Sequence, residues 1–265
     1  MSDQPLVRHQ IEHGGALRTL VLDHPRGNIV TIAMCEELRR ELVTAAEDHK
    51  TKLVVLRGAG GDFSFGASVE EHLPDRAETM LAALGGVVAD LALFPCPTLA
   101  AVEGRCLGGG LEVALGCGLV LVADDALLGS PEIRLGVFAP AATALLARSL
   151  GRARYEEILL LGRTFTGVEA ESWGIASQLV TAPGTEGMDA AINELYTKDI
   201  APRSAAALRI ATQAARETFF SRPVSLGESL AALENTYVDR VLPLADAREG
   251  LAAFMEKRAP RWEDS

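Results

Sequence analysis

Cationic side chains are scarce. Lys and Arg together number 25 against 36 Asp and Glu, for a formal net charge of -11. Phosphate neutralisation needs clustered Lys and Arg, so a chain this acidic is a poor general nucleic-acid binder. A local basic pocket for one phosphorylated ligand is compatible with that balance. Cysteines are few as well, four in all, and no pair has C-x-x-C spacing or a histidine at metal-ligand distance. They read as small buried apolar residues, with no disulfide framework and no metal site. The N-terminal "MSDQPLVRHQ" lacks an apolar signal region, and no apolar run reaches membrane-span length. These features point to a reducing cytoplasm and no membrane partner. There is no P-loop, no G-x-G-x-x-G and no G-x-S-x-G. The five histidines are scattered, so no catalytic triad suggests itself.

What is present is an ordinary globular composition, 48% hydrophobic over 265 residues, long enough for a substantial core without staples. "ALRTLVLDHP", "KLVVLRGAG", "PCPTLAAVEG" and "LVLVAD" read as strands. Thr31 to Lys50 and Arg76 to Leu93 read as helices, the first with Met34, Leu38, Leu42 and Ala45 at helical spacing. Alternation of strand and helix with short turns predicts an α/β arrangement. From about Glu194 the pattern is mostly helical and is broken near Pro202, Pro223 and Pro243. This divides the chain into a core, 1–193, and a helical C-terminal region, 194–265. "TAPGTEGMDA" reads as a surface loop.

Two turns and two carboxylates stand out. Gly108, Gly109 and Gly110 lie between a strand-like and a helix-like stretch. A glycine-rich turn opening a helix aims free N–H donors outward, suited to an anion or to a carbonyl oxygen that becomes one. Close strand–helix packing explains the same glycines equally well. The second turn is "GGDFSFGASVEEH", where Gly66 permits the bend, Phe63 and Phe65 flank it, and Ala67 offers a backbone N–H. Glu112 sits in an apolar run and Glu132 follows Pro131. Facing one cavity, they would push each other's pKa apart and supply an acid and a base around one water. Arg134 is a candidate partner for Glu132 or for another acid.

Together these segments resemble the crotonase, or enoyl-CoA hydratase/isomerase, superfamily. The resemblance rests on "LDHPRGNIVTIAMCEEL", "DFSFGASVEEH", "VEGRCLGGGLEVAL", "GSPEIRLGVFAP" and "GLAAFMEKRAPRW", in that order along the chain. It implies the ClpP/crotonase-like fold, a spiral of β-β-α units whose helical C-terminal region builds homotrimers or homohexamers. It implies an acyl-CoA thioester substrate, with CoA arriving as part of that substrate and no separate cofactor or metal. It places the oxyanion donors on the N–H groups of Ala67 and Gly109, beside Gly66 and Gly108. Both positions that carry glutamate in the family's hydratases are filled, by Glu112 and Glu132. Arg26 matches a basic position that meets CoA phosphates.

Three departures bear on the substrate. Ser68 replaces an Asp, Phe65 replaces a smaller residue, and "GVFAPAAT", with Phe138, replaces a glycine-rich segment. These resemble a subfamily that hydrates cyclohexa-1,5-diene-1-carbonyl-CoA to 6-hydroxycyclohex-1-ene-1-carbonyl-CoA in anaerobic benzoyl-CoA degradation. The alternatives are a straight-chain enoyl-CoA hydratase/isomerase, a non-enzymatic RNA-binding relative and a ClpP-like peptidase. The negative charge and the two glutamates speak against the RNA binder, and the missing nucleophile signature against the peptidase.

Overall fold

The computed structural model describes residues 4–73, 75–182, 184–220, 240 and 243–263. A six-stranded sheet forms the centre. Its strands are β1 (Val7–Glu12), β2 (Leu17–Leu22), β3 (Leu53–Gly58), β4 (Thr98–Val102), β6 (Leu119–Ala123) and β9 (Gln178–Val180), side by side in that order. β1 runs antiparallel to β2, and the other neighbours are parallel. The middle strands are near-continuous apolar runs because both their faces are covered, as parallel sheets require. All of β4 is buried, as is Leu53 to Leu56 of β3.

Helices α1 (Ile32–Glu47) and α2 (Ala77–Ala92), packed against each other, supply part of the cover. Met34, Cys35, Leu38, Leu42 and Ala45 form the inward stripe of α1, and Met80, Leu84, Val87, Val88 and Leu91 that of α2. Each fully buried leucine or valine contributes roughly 1.5–3 kcal/mol against exposure. α1 starts where Thr31 Oγ1 accepts the Met34 N–H at 3.1 Å and Glu71 accepts the Ile32 N–H at 2.8 Å.

A second, three-stranded sheet positions the site. β5 (Arg105–Leu107) lies parallel to β7 (Leu127–Gly129), which lies antiparallel to β8 (Thr164–Thr166). α3 (Gly109–Gly116) follows β5 directly, and a short 3-10 turn (Glu132–Leu135) follows β7. Thereafter helix predominates, through α4 (Pro140–Ser149), α5 (Arg152–Leu161), α6 (Gly167–Ser172), α7 (Gly184–Leu195), α8 (Ala205–Phe220) and α9 (Ala245–Glu256).

The expected loop "TAPGTEGMDA" is corrected here: α7 begins at Gly184. Met188, Ile192 and Tyr196 recur four residues apart and are buried, which outweighs the weak helix propensity of Gly184 and Gly187. The described residues after Glu194 are mostly helical, and helices are already frequent from Pro140, interrupted by β8 and β9. Residues 193 and 194, where the sequence reading divides the chain, both lie in α7. The break expected at Pro223 lies outside the described residues. The four cysteines are buried and free, and burial raises their thiols, Cys96 to about 11 and Cys35 and Cys117 to about 12. Among the described residues no helix is long and apolar enough to cross a membrane.

Candidate active site

Pairing between chain segments, rather than nearness in sequence, brings the two candidate turns together. After β3 the chain runs beside β5: Ser64 donates to the Arg105 carbonyl at 2.9 Å, and Leu107 donates back to the Ser64 carbonyl at 2.9 Å. Gly66 then turns with φ +114, a conformation glycine adopts without strain. Ala67 therefore ends beside the start of α3. A methyl group placed on Gly109 would lie 2.8 Å from Ala67 Cβ and 3.1 Å from Ala67 N, so the close approach requires glycine. Gly108 has φ 52 and ψ -127, again a glycine conformation, and its N–H donates to the Gly129 carbonyl at 2.9 Å. The N–H of Gly109, first in its helix, has no intrahelical partner, and no hydrogen bond among the described residues engages it or that of Ala67. Two uncommitted donors at one spot can hold a developing oxyanion.

Glu112 lies one turn into α3 and is 3% exposed. Its Oε1 accepts two N–H groups from the first turn of α4, Ala141 at 2.8 Å and Ala142 at 3.0 Å. Ala139, at the N-cap of α4, has no side chain that can cap, so Glu112 does that work from across the fold. No described hydrogen bond involves its Oε2. Burial raises the Glu112 pKa above the usual carboxylate range. The two backbone donors oppose that rise, the Glu132 charge adds to it, and His72 offsets it weakly. The two carboxylates are thus within electrostatic reach of one another.

Glu132 arrives through the pairing of β5 with β7, which sets Gly129 opposite Leu107. It is half-buried, and its Oε1 lies so close to Gly108 that a methyl group there would be 2.7 Å away. Its Oε2 accepts the Ser130 hydroxyl at 2.7 Å. The suggested Arg134 partnership is not formed: Arg134 makes no ion pair among the described residues.

A family model described as enoyl-CoA hydratase/isomerase matches residues 12–265. The chain belongs to the enoyl-CoA hydratase/isomerase family. A cyclohexa-1,5-dienecarbonyl-CoA hydratase of Thauera aromatica is 41% identical over 254 residues, 96% of this chain and 95% of that protein. A probable enoyl-CoA hydratase of Mycobacterium bovis is 32% identical over 257 residues, 95% of this chain and 96% of that one. The crystal structure of an enoyl-CoA hydratase from Mycobacterium smegmatis superposes with a TM-score of 0.90 at 25% identity, covering 98% of this chain and 99% of that one. The fold is therefore the crotonase fold, and the protein is an enzyme, a hydratase of the hydro-lyase class.

Within this enoyl-CoA hydratase family member, Ala67, Gly66, Gly108, Gly109, Glu112 and Glu132 converge. Phe65 lies at the edge of that group: its ring packs against Gly27, and the Arg105 guanidinium sits 4.9 Å above it. Arg26 is exposed in the same turn as Gly27. Ser68 is held through its main chain: its N–H donates to the Val30 carbonyl at 2.9 Å, and its carbonyl lies 2.7 Å from His72 Nδ1. Phe138 is 65% exposed, on the segment leading into α4. Sequence reasoning missed Ser130, Arg105 and His72. The signal for Ser130 was available, since a serine two residues before a glutamate on a turn can reach its carboxylate. Cavities of about 490 and 570 Å³ lie elsewhere, beside Arg57 and Asp189 and beside Arg216, and neither is lined by Glu112 or Glu132. Among the described residues no three of His, Cys, Asp and Glu converge as metal ligands.

Proposed function

We propose that the protein adds water to a cyclic conjugated dienoyl-CoA, cyclohexa-1,5-diene-1-carbonyl-CoA, giving 6-hydroxycyclohex-1-ene-1-carbonyl-CoA. One observation carries the mechanism. Each glutamate has one oxygen pinned, Glu112 by α4 and Glu132 by Ser130, while the other oxygen is left for a water. The thioester oxygen binds the N–H groups of Ala67 and Gly109. One glutamate takes a proton from the water as its oxygen attacks the carbon β to the thioester. Negative charge spreads onto the thioester oxygen, where the two N–H donors hold it. A proton returns at the far end of the diene, drawn from the other glutamate, and the pair is reset by exchange with solvent. This chemistry calls on no metal or redox group, and CoA arrives with the substrate.

The choice of a ring substrate is supported by the 41%-identical relative and by Phe65 at the edge of the site. The decisive measurement compares turnover of the cyclic dienoyl-CoA with that of crotonyl-CoA, in the wild type and in Phe65→Ala. A preference for crotonyl-CoA would favour the straight-chain reading, and no hydration of either would end the proposal. Arg26, exposed in the turn that packs on Phe65, and Arg105, over the Phe65 ring, are the cations suited to the CoA phosphates. The proposal includes a trimer or hexamer. Leu135, Phe138, Leu160 and Leu161 are large exposed apolar side chains that association would cover. Light scattering that found only 28.1 kDa particles would refute it. Four free cysteines and the acidic balance suit a reducing cytoplasm.

A further inference from the structure

We infer that Ser130 is a positioning residue, whose hydroxyl holds one carboxylate oxygen of Glu132 so that the other faces the cleft at Gly66 and Gly108. The inference rests on the use of Glu132 proposed above. A glutamate's terminal torsion is broad, so its carboxylate settles only when a partner holds it. The turn that carries Glu132 provides little support, since Ile133, Arg134 and Leu135 are all exposed. Ser130, in contrast, is 2% exposed and directly follows β7. Gly129, the residue before it, is tied to Gly108 through the 2.9 Å hydrogen bond and to β5 through the strand register. The hydroxyl therefore reports the position of the oxyanion turn to the carboxylate at 2.7 Å.

The geometry sorts the two oxygens. Oε2 is taken by Ser130, and Oε1 lies against Gly108, where a side chain would strike it. Gly108 in turn borders Gly66, the other turn of the site. A neutral donor also suits the task. Arginine or lysine in its place would form an ion pair and compete with water for the carboxylate. Serine orients the group without adding an opposing charge.

The test is steady-state kinetics on whichever enoyl-CoA the wild type hydrates, for Ser130→Ala, Ser130→Thr, Glu132→Gln and the Ser130→Ala/Glu132→Gln double variant. Misplacement of a reacting group by about 1 Å costs up to about 10²-fold. Ser130→Ala should lower kcat by roughly 10- to 100-fold and leave KM within about twofold. Ser130→Thr, which keeps the hydroxyl, should recover most of that loss where circular dichroism shows a native fold. In single-turnover measurements Ser130→Ala should cost nothing further once Glu132 is already Gln, because its effect passes through that carboxylate. A full kcat for Ser130→Ala beside an impaired Glu132→Gln overturns this inference alone. So does an equal loss in the Glu132→Gln background, which would mean a general packing role. A normal rate for Glu132→Gln itself would instead overturn the proposed mechanism.

Discussion

The two halves of the site are built differently. Glu112 stands in a helix whose residues are almost all buried, and two backbone donors grip its carboxylate. Glu132 stands on a short turn with exposed neighbours, and a single hydroxyl holds it. The first half is part of the core, so its carboxylate holds the start of α4 as well as serving the proposed chemistry. The second is carried by the strand before it and can change with less consequence for folding. A charge is thus costly where it is buried and inexpensive where it is half-wet, and the electrostatics follow: Glu112 is the carboxyl raised by burial.

The largest effects should fall on rate and be similar in both halves. Glu112→Gln and Glu132→Gln should each lower kcat by about 10²–10⁴. The double variant should lose far less than the product, since a unit broken once loses little on the second break. Single-turnover hydration measures this, and losses that multiply would separate the halves into independent actors. Next comes the shared turn. Gly109→Ala would force a methyl group against Ala67 and displace one oxyanion donor, for a loss of about 10²–10³ in kcat. A near-normal rate would show that the donors lie elsewhere.

Stability should then divide the halves that rate does not. Glu112→Ala removes the cap of α4 and should cost about 0.5–2 kcal/mol in urea unfolding. Glu132→Gln, which keeps an acceptor for the buried Ser130 hydroxyl, should stay within about 0.5 kcal/mol. Equal losses would erase the contrast. The smallest effect is a pH trend. The folded-state pKa of Glu112 lies above its reference of 4.5, so folding takes up a proton there. The stability this group contributes is present below pH 4.5 and fades as pH rises through its raised value. Glutamine does not titrate and still accepts the two N–H bonds. The melting temperature of Glu112→Gln relative to wild type should therefore rise from pH 4 toward pH 7, and a falling difference would contradict the burial argument.

Much of this was legible in the sequence wherever the signal was local. The period of apolar residues gave α1 and α2, and the runs "KLVVLRGAG" and "TLAAV" gave the central strands. The triple glycine marked the turn that needs positive φ and close approach. The family resemblance joined the separate motifs into one site. What stayed hidden depends on partners distant in sequence. Nothing near Ala141 announces that a glutamate 29 residues earlier accepts its N–H. The start of α7 was obscured because glycine and proline signals spoke louder than the four-residue spacing of Met188, Ile192 and Tyr196. Ser130 is legible only in relation to Glu132, two residues on, because a serine on a turn can reach that carboxylate while carrying no pattern of its own.

The borrowed cap of α4 makes the first turn of that helix a natural probe. A proton arriving on Glu112, or a thioester settling beside it, alters the acceptor that the Ala141 and Ala142 amides see. Their nuclear magnetic resonance shifts and hydrogen-exchange rates would then trace the charge state of a buried carboxylate without any label or substitution at the carboxylate itself.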